Sequence, residues 1–207
     1  MFLHVAHGLE ASKDHLSDLD RAIGDGDHGI GMARGFEAVR GELEAKRYDS
    51  VGKLVHGVGT ALMMSIGGAA GAIFGSLFRG GSVKLQEELS FTSGTLARLL
   101  VDGLQAVKAR GGAQAGAKTM IDALEPASVK AQALAEAGAP LDQALSAACE
   151  EARLGMERTK DMLATTGKAK TLAERSLGHP DPGAASTYLI LKFMAEFATL
   201  PESPAGG

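Results

Sequence analysis

A chain of 207 residues, 45% hydrophobic and 22% charged, has enough apolar material for one domain with its own core. A net charge of -4 and a pI near 5.9 argue against the basic face that a nucleic-acid partner requires. The single cysteine, Cys149, excludes an internal disulfide and a cysteine metal cluster, and no apolar run reaches the ~18 residues of a membrane span.

Apolar positions Leu3, Val5, Leu9, Leu16, Leu19 and Ile23 fall at helical spacing and predict a first helix over 2–22. The opening residues carry no basic region of the signal-peptide kind, so a reduced, cytoplasmic setting is expected. Five glycines among residues 22–35 interrupt, and a second helix is expected from about Met32 to Lys46. The run 49–67 reads as a buried helix with Asp49 or Ser50 as its cap. A further helix opens on the Gly/Ala turn of 67–81, and another fills 90–112, closed by Gly111 and Gly112. Residues 118–138 begin helical and are predicted to break or kink at Pro126. An amphipathic helix follows over 140–165, then a polar loop over 167–186. Asp181 and Pro182 supply the cap and first turn of the last helix, 181–200. No strand pattern is present. The expectation is an all-α single domain over 1–200 with seven or eight helices and a loose tail, 201–207.

Three stretches carry chemistry. In "DLDRAIGDGDHG" the carboxylates Asp20, Asp25 and Asp27 would repel one another if they converged, and a hard divalent cation such as Mg²⁺ or Ca²⁺ removes that repulsion. The spacing is not that of an EF-hand. Glycines between them free backbone N–H groups to face an anion, and a helix start beside metal suits phosphate. The same letters also suit a solvated turn between helices, and His28 beside them is either a phosphate donor or a loop residue capping a carbonyl. In "SIGGAAGAIFGS", Gly67, Gly68 and Gly71 allow close backbone approach to a ligand, or close helix packing; no Walker A lysine follows. In the loop 167–186, Lys168, Lys170, Arg175 and His179 suit phosphate contact, or a plain exposed basic loop.

Taken together, "LDRAIGDGDHG", "MARGF", "SIGGAAG", "KTMIDALEPA" and "ERSLGHPDPGAAS" resemble, in order and over most of the chain, the nucleotide-binding L subunit of dihydroxyacetone kinases. The resemblance implies a closed barrel of eight antiparallel helices holding ADP or ATP at one end through two Mg²⁺. It makes Asp20, Asp25 and Asp27 the metal ligands. It places Gly67, Gly68, Ala69, Ala70, Gly116, Thr119, Met120, Asp181 and Gly183 near the nucleotide, with the late loop closing over it. His28, Lys168 and Arg175 are the implied catalytic side chains, with His28 and Lys168 also touching the nucleotide.

A ketose-binding K subunit is the implied partner, and it carries the base that activates the substrate hydroxyl. A phosphohistidine M subunit of the phosphotransferase system recharges ADP in one version of the enzyme; in the other, ATP is consumed. A homodimer is also compatible, with neither nucleic acid nor membrane as a partner. The chain departs from the family pattern at Gly31, Ala70, Ala117 and Lys168, where Asn, Ser, Asp and Arg are usual. Three other readings stand beside the kinase: a nucleotide-loaded regulatory module, a kinase subunit for another small ketose such as a tetrulose, and a stand-alone metal-dependent phosphatase, for which no general base is evident beyond the metal ligands.

Overall fold

Ser12 divides the first predicted helix in two: α1 is Phe2–Ala11 and α2 is Lys13–Ile23. Its hydroxyl donates to the carbonyl of Gly8 at 2.7 Å, a local bond that competes with continuing the helix. The computed structural model describes residues 1–201, with the backbone alone at Lys168 and Leu172, so the predicted tail lies almost wholly outside the described residues. Helix α3, His28–Ala45, begins four residues before the predicted start. Then come α4 (Val51–Ser65), α5 (Gly68–Ser82), α6 (Ser93–Gly111), α7 (Ile121–Glu136), α8 (Leu141–Arg158) and α9 (Pro182–Ala198).

The caps are mostly those the letters announce. Ser50 accepts from the Lys53 N–H, Thr92 and Thr95 form a reciprocal capping box, and Gly112 closes α6 at φ 69°. The predicted 140–165 helix stops at Arg158 and tightens into a 3-10 turn over Thr159–Asp161. Much of the polar stretch expected as a loop, Lys168–Ser176, consists of 3-10 turns interrupted by a kink at Ala173, whose φ is 48°. Of the two outcomes expected at Pro126, a break or a kink, the break does not occur: α7 runs from Ile121 to Glu136 with Pro126 inside it. Proline removes one bond to the carbonyl of Asp122, near the start of the helix. Buried Ala123, Leu124, Ala127 and Ala131 hold the rest of α7 among its neighbours.

Helices α1 and α3 to α9 form a ring: each touches the next, and α9 touches α1. Neighbours run in opposite directions. Gly8 meets Phe193 while His4 meets Glu196; Gly59 meets Arg79 while Gly71 meets Met63. The inside is filled by Leu9, Phe36, Leu62, Phe74, Phe78, Leu96 and Leu99, all buried. Alanines on α7 and α8 let those two helices come close. Among the described residues there is no strand, and no helix is long and apolar enough to cross a membrane.

The alternation has one consequence for function. The starts of α3, α5, α7 and α9 all lie at one end of the ring, beside the end of α2. Four helix starts, each the positive end of a helix dipole, gather there.

Candidate functional site

Helix α2 brings Asp20, buried on its inner face, to that end, and the turn after Ile23 brings Asp25 and Asp27 beside it. One carboxylate oxygen from each of the three lies within 4.8 Å of the other two. Each pair of charges at that separation costs ~1 kcal/mol in bulk water and several times more at a protein surface. An all-carboxylate oxygen set suits a hard divalent cation, so these residues fit Mg²⁺ or Ca²⁺. Oδ2 of Asp20 accepts from the His28 N–H at 3.1 Å. That bond caps α3 from a neighbouring helix, which is why α3 starts at His28 despite its glycines.

Next to the carboxylates opens a cavity of about 550 Å³, within the range of small-molecule sites. Asp20, Asp27 and His28 form one side; Gly67–Ala70, at the start of α5, face them. Thr119 and Met120, just before α7, and Asp181 and Gly183, at the start of α9, complete the polar wall. Gly67 makes the α4–α5 turn at φ 79°, a left-handed conformation that favours glycine. Ile23, Ile66, Ile73 and Phe74 supply an apolar wall. His28 Nε2 lies 2.8 Å from the hydroxyl of fully buried Ser186, and its ring stands 6.3 Å from that of Phe74.

Asp181 caps α9, accepting from the Ala184 N–H at 2.8 Å, while its own N–H donates to Thr159 Oγ1 at 2.9 Å. Burial pushes its carboxyl up to about 7, and Asp122 adds to this. The Ala184 and Gly183 N–H groups and the Lys118 ammonium pull the other way. The side chain sits deep in the protein yet borders the cavity, so solvent reaches it from that side.

Of the residues singled out in the sequence, Asp20, Asp27, His28, Gly67, Gly68, Ala69, Ala70, Thr119, Met120, Asp181 and Gly183 line this cavity. Asp25 joins through the carboxylate cluster. Gly116 stands behind the wall; its N–H donates to Asp122 Oδ1 at 2.5 Å, and Thr119 N–H donates to Oδ2 at 2.7 Å, so Asp122 holds this loop in shape. Arg175 is exposed and not part of the cavity wall. The side chain of Lys168 lies outside the described residues.

Several wall residues were not singled out in the sequence, among them Ile30, Arg34, Lys118, Thr166, Gly167 and Ala169. Arg34 donates from Nε to the Ser65 carbonyl at 2.6 Å and from Nη2 to the Ile66 carbonyl at 2.5 Å, closing the end of α4. It stands seven residues after Asp27 and three after Gly31, on one helical face, and that spacing was a usable signal. Lys118 gives no such signal, because its place depends on partners 41 and 61 residues away.

Residues 22–196 match the DAK2 domain family. The chain is 37% identical over 187 residues to the PEP-dependent dihydroxyacetone kinase, ADP-binding subunit DhaL, of Escherichia coli, covering 90% of this chain and 89% of that one. It is 31% identical to the D-erythrulose kinase of Mycolicibacterium smegmatis, covering 95% of this chain but 34% of that longer one. The dihydroxyacetone kinase of C. freundii, solved in complex with AMP-PNP and Mg²⁺, superposes with a TM-score of 0.74 at 29% identity. That match covers 95% of this chain and 33% of the other. An all-helical ring with a carboxylate cluster at one end, matched over most of its length, thus belongs to the DAK2 domain family.

Proposed function

We propose that the protein is the nucleotide-binding, phosphoryl-transferring subunit of a dihydroxyacetone kinase, holding ADP or ATP with Mg²⁺ and acting on a ketose carried by a separate K subunit. The observation that carries this reading is the opposition of three converging carboxylates to the starts of α5, α7 and α9 across one cavity. A cation-loaded di- or triphosphate satisfies both sides at once, the cation meeting the carboxylates and the phosphates meeting the helix starts. The E. coli relative, named as an ADP-binding subunit, supports the same reading.

Asp20, Asp25 and Asp27 would hold the cation, and their number suits two Mg²⁺ sharing ligands. When bound, cation and nucleotide supply charge neutralisation and the phosphoryl group that passes to the ketose hydroxyl. The chain's own residues position. Backbone N–H groups at the start of α5 would donate to phosphate oxygens, and His28, whose Nε2 is held by Ser186, would donate to the terminal phosphate. Ile66, Ile73 and Phe74 keep water from one wall and offer an apolar face to a base. Lys168 and Arg175 would neutralise charge as the 167–181 stretch meets the partner. The ketose, three or four carbons long, is chosen on the K subunit, and recharging by an M subunit in the cytoplasm fits a retained ADP.

Titration calorimetry with Mg-ADP tests the reading. The wild type is expected to bind with Mg²⁺ and to lose binding on chelation, and Asp27→Ala is expected to bind neither. Normal Mg-dependent binding in Asp27→Ala would remove the metal assignment. Chromatography of nucleotide released on denaturation separates a retained ADP from a consumed ATP.

A further inference from the structure

Lys118 is 2% exposed and sits at φ 58°, a left-handed conformation uncommon for a residue with a side chain. Its Nζ donates to the Thr159 carbonyl at 2.6 Å and to the His179 carbonyl at 2.6 Å. The first is the carbonyl that closes α8; the second lies two residues before the cap of α9. Backbone bonds add to the same junction: Thr165 N–H donates to the Ala117 carbonyl at 3.3 Å, and Gly178 N–H to the Lys160 carbonyl at 2.8 Å. Thr159 in turn receives the Asp181 N–H through its hydroxyl. One buried ammonium therefore fastens both ends of the 159–179 segment to the loop before α7, directly beneath the cavity.

Burying an ammonium costs energy that two carbonyls recover only in part. Burial indeed lowers the Lys118 pKa, with Asp181 and Asp161 opposing that shift. A carbonyl at the end of α8 is the favourable place for a cation, since it faces the negative pole of that helix. A methionine would fill the same volume without the desolvation cost. The lysine's distinctive property is its multiple donors on one point, used here to join segments that no shorter side chain reaches together.

We propose that Lys118 is a positioning residue: its ammonium sets the start of α9, and with it Asp181 and Gly183, against the nucleotide, and holds the 159–179 segment over the cavity. The part concerning nucleotide rests on the function proposed above. The part concerning the segment does not.

The test compares wild type, Lys118→Met, Lys118→Arg, Lys118→Gln and Thr159→Val in the full chain. Two quantities are read: the Kd for Mg-ADP, and the rate of tryptic cleavage after the exposed Lys170 and Arg175, followed by mass spectrometry without nucleotide. Lys118→Met is expected to weaken Mg-ADP about tenfold and to speed cleavage about tenfold, at unchanged helical content. In transfer assays with a K subunit it should raise KM for nucleotide far more than it lowers kcat. Lys118→Arg, which keeps charge and donors, should recover most of both effects. Thr159→Val, which removes the hydroxyl that accepts from the Asp181 N–H and donates to the Met156 carbonyl but keeps the carbonyl that Lys118 uses, should show a smaller loss in the same direction. Lys118→Gln, which is shorter and uncharged, carries the test if Lys118→Met does not fold, and wild-type affinity with wild-type cleavage in it would overturn the proposal. Wild-type affinity and wild-type cleavage in Lys118→Met would overturn the proposal. So would an equal loss in Lys118→Met and Lys118→Arg with cleavage unchanged. A wild type that binds no Mg-ADP would overturn the functional reading, while the cleavage rates would still decide whether Lys118 anchors the segment.

Discussion

The backbone N–H of His28 donates to Oδ2 of Asp20 at 3.1 Å, so one carboxylate both caps α3 and belongs to the acidic cluster. The two roles separate by substitution. Asp20→Asn keeps an acceptor for the cap and removes the charge. Its melting temperature without metal should equal or exceed that of the wild type, because a mutual repulsion is gone, while Mg-ADP affinity should fall by ~100-fold or more. Asp20→Ala loses both and should also lose about 1 kcal/mol of stability. Thermal melts beside calorimetry distinguish the variants; a stable Asp20→Ala would deny the cap.

Ser186 and His28 are 158 residues apart in sequence, and the serine hydroxyl fixes the histidine ring from within the core. Ser186→Ala leaves a ring with the same neighbours but one fewer constraint. Phosphoryl transfer should fall about tenfold, equivalent to ~1 kcal/mol, with Mg-ADP affinity changed less than threefold. Steady-state kinetics with a K subunit, alongside a binding isotherm, measure the split. An equal loss in both would make Ser186 a binding residue instead.

Asp181 ties stability to pH. Its carboxyl is pushed up to about 7, chiefly by burial. The unfolded chain releases this proton near pH 4 and the folded chain holds it to about pH 7, so in that window the folded state binds more protons. Stability from this group is therefore greatest below about pH 4, declines across the window and is lowest above about pH 7. Asp181→Asn retains a capping acceptor and cannot ionise. In denaturant melts without nucleotide its advantage over the wild type should grow from pH 4 to pH 8, reaching on the order of 1 kcal/mol once solvent access from the cavity is allowed for. A constant difference across that range would show that the group titrates normally.

Gly155 lies where α8 crosses the start of α7. A Cβ there would overlap the Asp122 carbonyl oxygen and come within 2.8 Å of Ala123 Cα, which is backbone and cannot swing away. Gly155→Ala should cost about 2 kcal/mol and lower the melting temperature by roughly 4–8 °C, despite alanine's better helix propensity. Because Asp122 shapes the Gly116–Thr119 loop, Mg-ADP affinity should weaken as well. A rise in melting temperature would mean that the two helices separate easily at this crossing.

The acidic cluster was legible because it is local: Asp20, Asp25 and Asp27 span eight residues, and one glycine turn suffices to bring them together. The α9 start was legible for the same reason, as Asp181 caps three residues ahead. The opposite wall was not legible from spacing alone. It draws on chain from Gly67 to Gly183, and only closure of the helix ring sets those segments side by side. The family resemblance supplied most of that wall, yet it also proposed Gly116 and Arg175, which stand off it. The "KTM" stretch that opens with Lys118 was placed near the nucleotide by the resemblance, but the anchoring bonds of Lys118 and the role of Ser186 escaped, because a buried polar side chain gives no periodic signal; its meaning lies in distant partners. At Pro126 the helix is not broken, since losing one helix bond is outweighed when the surrounding turns are buried.

Because neighbouring helices in the ring alternate in direction, the first helix rises toward the cavity and the last descends from it. Phe2 packs edge-on to Phe78 and Phe91 at the far end, and His4 stands beside Phe197 there. Both flanks of the domain thus emerge on the side away from the mouth. A second domain tethered to either flank leaves the opening clear, so this unit suits both a separate subunit and a segment of a larger polypeptide. The erythrulose kinase and C. freundii kinase chains, about three times as long, are of the second kind. Architecture of this sort lets gene fusion and fission occur without redesigning the catalytic face.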